Sequence, residues 1–587
     1  MFKKRGLYVL LLILLSLSVI AQENVPYHLK LLAVQEDGDV IEGSDADVFL
    51  ELKKGSGRVF LETFPLTKLD TQISTRFAKD TACNEFKLDC DKYDFIFTIK
   101  AKSNIIAGPS AGAAIAALTT IAILDLEHDE TVAITGTINS GGLIGPVGGV
   151  KEKLEAAAAS ELRKVLISSG AGKVNVSINN ETKTTLEYAE ENLGLEVIEV
   201  MGLDEVIFEM TGINLNHQEV TVIENVEYTQ IMQRLQEQLC LRSDELETEI
   251  ENRNIEFSNS TAELISQRSG TADNASKMGD YYSAASYCFS NNILLQTEIY
   301  KEEALSVVEI NDEFSKLEIE TYNLEKEIEK EEINTISDLQ TFMIVKERLN
   351  DVKNQIKIYD EGEQTLENSY GLLGFAKERF FSAQAWKEFF IMEGREFVLD
   401  EVILENSCMR KISESEERLQ YANLYLPVPS DVIKEKIDTA KAALNDKEFA
   451  LCLITAAQAK ADSSAILSSL GLTDDIANEF LNGKRAAAER IIAANSEEGV
   501  FPILGYSYYQ YANSLREEPF TSLVYLEYAL EMSELSIYFP EKKKSLPINY
   551  QVKEEWIIFV VGLLLGIVIT LMIQERGHNN LTKKRKY

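Results

Sequence analysis

Between Pro146 and Pro427 the chain contains no proline. Proline removes a helix hydrogen bond and clashes with the preceding turn, so long helices can run uninterrupted through this stretch. Its apolar residues are spaced for them. Ile310, Phe314, Leu317, Leu324 and Ile328 follow heptad spacing, and Val345, Leu349, Val352 and Ile356 resume it after a break near 331–336, with Glu and Lys between. Met232, Leu235, Leu239 and Leu246 open a similar helix earlier. This pattern predicts a helical hairpin or a coiled coil over 225–359. From 360 to 550, bulky aromatics stand beside small residues. Asp280-Tyr281-Tyr282-Ser283-Ala284-Ala285, Arg379-Phe380-Phe381-Ser382-Ala383 and Lys447-Glu448-Phe449-Ala450 resemble one another, with Glu518-Pro519-Phe520-Thr521-Ser522 a looser fourth copy. Such spots let helix pairs approach closely, as in tetratricopeptide-like arrays, and an ordinary helical bundle fits the same pattern.

The first third of the chain has a different texture. Strand-like stretches at 28–34, 47–52, 57–62, 93–100, 130–138, 164–168 and 195–200 are interleaved with helical ones at 71–81, 110–126, 151–160, 187–191 and 203–210. On the helix at 71–81, Ile73, Phe77 and Ala78 share one side. The mixed order predicts an α+β or α/β layer over 27–212.

Within that layer, Gly108-Pro109-Ser110-Ala111-Gly112 leads into an Ala-rich helix. Thr135-Gly136 follows, then a glycine-rich turn that opens into Lys151-Glu152-Lys153. Proline suits a helix entry, and a helix start presents free N–H groups and partial positive charge. A serine there has donors at hand for an oxyanion, supplied by the backbone of Ser110 and Ala111; Pro109 has no N–H to give. A hydroxyl needs a base before it attacks, and a lysine becomes one when burial without a counter-ion keeps it neutral. Lys153 is that candidate. Lys151, two residues away, faces elsewhere on the helix.

At these residues the chain resembles the proteolytic domain of the Lon protease family. The resemblance rests on Gly108–Gly112, on Thr135-Gly136 and on Pro146-Val147-Gly148-Gly149-Val150-Lys151-Glu152-Lys153. It implies that Ser110 is the nucleophile and Lys153, 43 positions later, its base, with Thr135 close to the dyad as the supporting residue that orients the lysine. It also implies a α+β catalytic domain and polypeptide substrates, and permits a homo-oligomer. The family usually has an acidic residue where Ala107 stands, and a glutamate where Thr137 stands. Gly-x-Ser-x-Gly also fits the nucleophile elbow of α/β-hydrolases, which needs an acid and then a histidine after the serine. The chain has only His28, His128, His217 and His578.

The net charge of −37 argues against nucleic acid as a partner. Nothing in the sequence calls for a metal or organic cofactor. No Gly-x4-Gly-Lys-Ser/Thr loop occurs, so the ATPase motor of typical Lon proteases has no counterpart in this sequence. Six cysteines lack metal-ligand spacing, and sequence order suggests Cys83–Cys90, Cys240–Cys288 and Cys408–Cys452 among the many possible pairings, with free thiols the alternative. Asn175, Asn180, Asn259 and Asn274 begin Asn-x-Ser/Thr sequons, which chance also produces.

Residues 1–21 read as a secretory signal, with an uncleaved anchor as the alternative. Residues 556–573 form an apolar run long enough to span a bilayer, and the basic 574–587 tail follows it. The expectation is therefore a α+β catalytic domain, an all-α region with coiled-coil or helical-repeat character, and one C-terminal transmembrane helix. Its localisation would be the cell membrane, single-pass, with the bulk outside the cytoplasm. Its activity would be that of an ATP-independent serine endopeptidase acting through a Ser-Lys dyad. The alternative is a degenerate Lon-like domain serving as a surface scaffold through its helices.

Overall fold

The computed structural model describes residues 26–37, 40–64, 69–101, 109–178, 181–215, 225–362, 364–425, 431–469, 474–542, 563 and 565–566. Strands β1 (Tyr27–Asp37), β2 (Val40–Lys54), β3 (Val59–Phe64) and β4 (Tyr93–Ala101) make a sheet in the order β1-β2-β4-β3. The β1–β2 and β2–β4 pairs are antiparallel and β3–β4 is parallel. Alternate residues face inward, so Leu29, Leu31, Val48, Leu50, Phe95, Phe97 and Ile99 are all buried. Lys30 lies opposite Asp47 in the register, with its ammonium 2.9 Å from that carboxylate and 3.1 Å from Asp45.

Helix α1 (Leu69–Glu85) precedes β4, and α2 (Gly112–Leu124) follows it. Every residue of α2 from Gly112 to Ala122 is buried. Only Thr119 and Thr120 carry side-chain polar groups there, and each hydroxyl bonds the carbonyl one turn back, at 2.8 and 3.1 Å. A helix apolar on all sides belongs in the centre of a domain. It packs against α1, β1 and β2 and against the elements that come next.

Those are β5 (Val132–Thr135), β6 (Thr137–Ile138), β7 (Ile144–Gly145), α3 (Val150–Ala159), β8 (Lys164–Ser168), the hairpin β9 (Asn175–Ile178) and β10 (Glu181–Thr184), α4 (Thr185–Tyr188), β11 (Glu196–Val200) and α5 (Leu203–Thr211). A second sheet, ordered β11-β8-β5, is wholly parallel, with α3 as the crossover between β5 and β8. This arrangement of two small sheets is not the large doubly wound sheet of an α/β-hydrolase. His28 bonds Asp47 at 2.8 Å and His128 bonds the His28 carbonyl at 2.8 Å, both as parts of the sheet framework.

Twelve described helices follow: α6 (Val226–Arg253), α7 (Asn259–Lys277), α8 (Tyr281–Glu303), α9 (Val307–Ile328), α10 (Ile336–Asp360), α11 (Leu366–Trp386), α12 (Glu401–Tyr425), α13 (Asp431–Asn445), α14 (Phe449–Ser469), α15 (Asp474–Glu497), α16 (Ile503–Ser514) and α17 (Pro519–Ser533). Their starts are written in the sequence. Asn225, Ser258, Asp280, Ser306, Thr335 and Thr365 each accept a backbone N–H three residues on, and Ser306 with Glu309 completes a capping box. Three of the four aromatic-small motifs mark the starts of α8, α14 and α17; the one at 379–383 lies inside α11.

The heptad residues of α9 and α10 are buried as the spacing predicts, and the two helices run antiparallel, with Tyr359 bonded to Asn311 and Lys353 to Glu325. They are no free-standing coiled coil. Helix α10 also packs against α11 and α14, which buries Lys346 and Arg348 as well as its apolar seam. Lys346 meets Glu325 at 2.6 Å and Glu448 at 2.7 Å, and a cation so buried requires such partners.

The expected membrane helix is corrected. Among the described residues no helix is long and apolar enough to cross a membrane. Even α14, buried along most of its length, carries Gln458, Lys460 and Asp462 mid-helix, where a bilayer would make them costly. The fold is thus an α+β region followed by an all-helical one, and neither a single-pass localisation nor a membrane partner is supported. The stretch 556–573 lies outside the described residues apart from Leu563, Leu565 and Gly566, as do the 1–21 segment and the 574–587 tail.

The cysteines pair as Cys83–Cys90, Cys240–Cys288 and Cys408–Cys452. The second ties α6 to α8 across a separation of 48 residues, and the third ties α12 to α14 across 44. Removing a cross-link of such span frees the unfolded chain, a change worth about 2–4 kcal/mol. Cys408→Ser with Cys452→Ser should therefore lower the urea midpoint measurably, and reductant should no longer affect that part of the transition; urea melts with and without dithiothreitol check this.

Candidate active site

Ser110 occupies a single 3-10 turn, Pro109–Ala111, at the mouth of α2. Ala111 stands at the cap position in helical conformation, and no side chain caps the helix. The turn is stitched to the second motif. Gly136 donates its N–H to the Ser110 carbonyl at 3.2 Å, and Ala113 donates to the Gly136 carbonyl at 3.1 Å. Thr135-Gly136 and Ser110 are thus neighbours through the backbone, although 25 positions apart in sequence.

Lys153 sits in the first turn of α3. Two glycines permit its placement. Gly149 starts the helix at φ +64°, a conformation that disfavours side chains, and its carbonyl accepts the Lys153 N–H at 3.0 Å. Gly43 lets β2 press against the helix, because a Cβ there would fall 1.8 Å from the Glu152 carbonyl oxygen. Helix α3 lies against β1, β2 and β5, and the Ser110 turn also lies against β1 and β5, so the two candidate residues share neighbouring strands.

The Lys153 side chain is 2 % exposed. No carboxylate pairs with it among the described residues, and burial alone pushes its ammonium down to about 7. The lysine is therefore substantially uncharged at neutral pH. Lys151 takes the structural role expected of it, forming an exposed pair with Glu155 at 3.6 Å. Thr135 is fully buried, and its hydroxyl has no hydrogen-bond partner among the described residues. Ser168, which no motif singled out, repeats this at the end of the adjacent strand β8. Buried hydroxyls without partners are uncommon and costly, and here two lie at the carboxyl ends of neighbouring parallel strands, where α/β layers place ligands.

The sequence did not show what borders this site. The segment 138–143, just past Thr135-Gly136, is gripped by the helical region. Arg418 of α12 donates to the Ile138 carbonyl at 2.8 Å. Arg490 of α15 donates to the Gly141 carbonyl at 3.0 Å and to Glu85 at 2.7 Å. Glu534 accepts the Gly141 N–H at 3.3 Å, and burial followed by repulsion from Glu531 pushes its carboxyl up to about 7. Leu143 is buried in the helical core rather than the sheet core. A small gap between Gly112, Ile138, Phe77, Arg418 and Lys460 marks where the two regions meet, two residues from Ser110. No spacing rule reaches across the 280 positions from Ile138 to Arg418.

A hydrogen bond from a charged donor is worth about 1.5–3 kcal/mol. Arg418→Ala should therefore speed amide exchange in 137–143 by about tenfold or more while leaving α6–α8 unchanged; hydrogen-exchange mass spectrometry reads both.

The family profile of the Lon protease (S16) C-terminal proteolytic domain matches residues 82–205. Lon protease 2 of Bacillus subtilis is 50% identical over 62 residues, 11% of this chain and 11% of its own length. Lon protease of Methanosphaera stadtmanae is 32% identical over 151 residues, 25% of this chain and 17% of its own. The archaeal Lon protease of Methanothermobacter thermautotrophicus is 36% identical over 89 residues, 15% of this chain and 14% of its own. The chain spans only a small part of these relatives, and the segment matched by the family profile includes Ser110, Thr135 and Lys153. Residues 82–205 of this chain belong to the Lon protease proteolytic-domain family.

Proposed function

We propose that the chain is a serine endopeptidase that cleaves polypeptides through Ser110 and Lys153 without ATP. The observation that carries this reading is Lys153, buried with no carboxylate partner among the described residues and with its ammonium pushed down to about 7. A lysine in that state accepts a proton at neutral pH. Ser110 Oγ attacks the scissile carbonyl carbon as its proton passes to Lys153 Nζ. The resulting oxyanion is held by backbone N–H groups at the mouth of α2, those of Ser110 and Ala111, which no side chain caps. Lys153 then protonates the leaving amine, and the acyl group remains on Ser110. Water, losing its proton to Lys153, attacks the ester, and Lys153 returns that proton to Ser110 Oγ as the acyl C–O bond breaks and the second product leaves. The unpartnered Thr135 hydroxyl is available to orient the Lys153 amine.

Casein cleavage by the full chain without ATP tests this. Ser110→Ala and Lys153→Ala should each lower kcat by at least about a thousandfold, as removal of a dyad member does, with unchanged thermal midpoints for Ser110→Ala. Turnover by either variant at the rate of the native chain overturns the dyad. Absence of cleavage by the folded native chain favours the scaffold reading.

The base must be neutral to act. kcat/KM should therefore fall about tenfold per pH unit below the Lys153 value of about 7 and level off above it. The stability sign is opposite to that of a paired lysine. An unfolded lysine holds its proton up to about 10.5 and the folded one only to about 7, so Lys153 weakens the fold increasingly as pH drops between these values. Lys153→Met should raise the thermal midpoint by several degrees at pH 7.5, and the gain should shrink toward pH 10.

A further inference from the structure

A cavity of about 470 Å³ opens in the helical region between α8, α10, α11, α13, α14, α16 and α17. None of its described lining residues comes from the α+β region. One wall is tyrosine: Tyr282, Tyr508, Tyr525 and Tyr528, each within about 6 Å of the next and set edge-to-face or tilted. Helix α10 also lines the cavity and contributes Asn350 and Asn354, one turn apart, and α13 contributes Thr439.

The charges of the cavity cancel. Glu347, Asp351 and Glu435 face Arg348, Arg379 and Lys436. Most are already paired: Arg379 with Asp351 at 2.6 Å, Lys436 with Asp462 at 2.6 Å, and Glu347 with Gln458 at 2.7 Å. In a chain of net charge −37, such a cavity offers no surplus charge to a phosphate, a nucleotide or a cation. It offers aromatic edges and neutral hydrogen-bonding groups. The carboxamides of Asn350 and Asn354 have no protein partner among the described residues. Each combines a donor and an acceptor, as a peptide group does. Their four-residue spacing, roughly 6.0 Å along the helix, is near the ~6.6 Å between alternate residues of an extended chain. The tyrosine rings cover one another's faces, which leaves no open platform for stacking a sugar.

We propose that this cavity is a second, non-catalytic binding site that takes an extended segment of the polypeptide substrate. Asn350 and Asn354 hold the backbone amides of alternate residues, and the tyrosine wall receives an aromatic or aliphatic side chain. The inference rests on the reading above that the substrates are polypeptides. It gives the helical region the task of capturing unfolded chain while Ser110 cuts elsewhere along it.

The test uses the full chain with Asn350→Ala and Asn354→Ala combined. Binding of fluorescein-labelled unfolded casein is followed by anisotropy in the Ser110→Ala background, which leaves the ligand intact. The double substitution should weaken binding about tenfold, the loss of one or two net hydrogen bonds. In the active chain it should raise KM for casein by a similar factor while kcat and the hydrolysis of a short fluorogenic peptide stay unchanged. Unaltered casein affinity overturns the proposal. So does an equal loss on the short peptide, or displacement of casein by an oligosaccharide such as cellohexaose. If Ser110→Ala still cleaves, the Ser-Lys reading fails, and the KM comparison between casein and the short peptide still decides the cavity.

Discussion

Helix α2 is apolar around its whole circumference, and everything in the first region is arranged to enclose it. Such a helix has no face for water, so a sheet, flanking helices and a second sheet must close on every side. The mixed sheet covers it through β1 and β2, while α1, α5 and the β5–β6 connection complete the enclosure. Its mouth cannot drift, because the backbone bonds between Gly136 and the Ser110–Ala113 turn lock it to the end of β5. The position of the candidate nucleophile is thus a consequence of core packing. Lys153 follows the same logic. Its helix crosses over the second sheet and is drawn against β2 at Gly43, which buries the ammonium with no carboxylate partner among the described residues.

The two regions of the chain are joined at the segment that lines this arrangement. Residues 138–143 continue directly from Thr135-Gly136, yet their carbonyls are held by Arg418 and Arg490 and their apolar tip, Leu143, enters the helical core. Behind Arg418 lies a buried ionic cluster in which Lys411 and Lys460 face Glu414 and Glu531. Burial would raise the Glu531 carboxyl, but the two ammonium groups hold it down at about 2. Lys460 reaches back over the Phe77 ring of α1 at 4.3 Å. The helical array therefore does more than extend the molecule; it sets the shape of one border of the site.

Much of this was legible beforehand. The capping residues of α6–α11, the heptad seams of α9 and α10 and the alternation in β1, β2 and β4 are local patterns with local causes. The strand-like stretches at 28–34 and 47–52 fall short of the observed strands Tyr27–Asp37 and Val40–Lys54, and inside the second of these the structure uses Gly43 for the close approach of α3. The coiled-coil expectation failed at α10, where Lys346 and Arg348 are buried against partners from α9, α11 and α14 along with the apolar seam. The expected membrane helix finds no counterpart among the described residues.

The sequence by itself determined the chemistry-bearing motifs, their order, the change from mixed to helical texture and the positions of most helix starts, since each depends on residues within a few positions of one another. Tertiary structure alone decided which strands pair in parallel, that among the described residues Lys153 has no counter-ion and the Thr135 and Ser168 hydroxyls have no partner, and that arginines hundreds of positions downstream hold the loop beside Ser110. Desolvation and long-range hydrogen bonding depend on what surrounds a group in space, and a linear pattern carries no record of that.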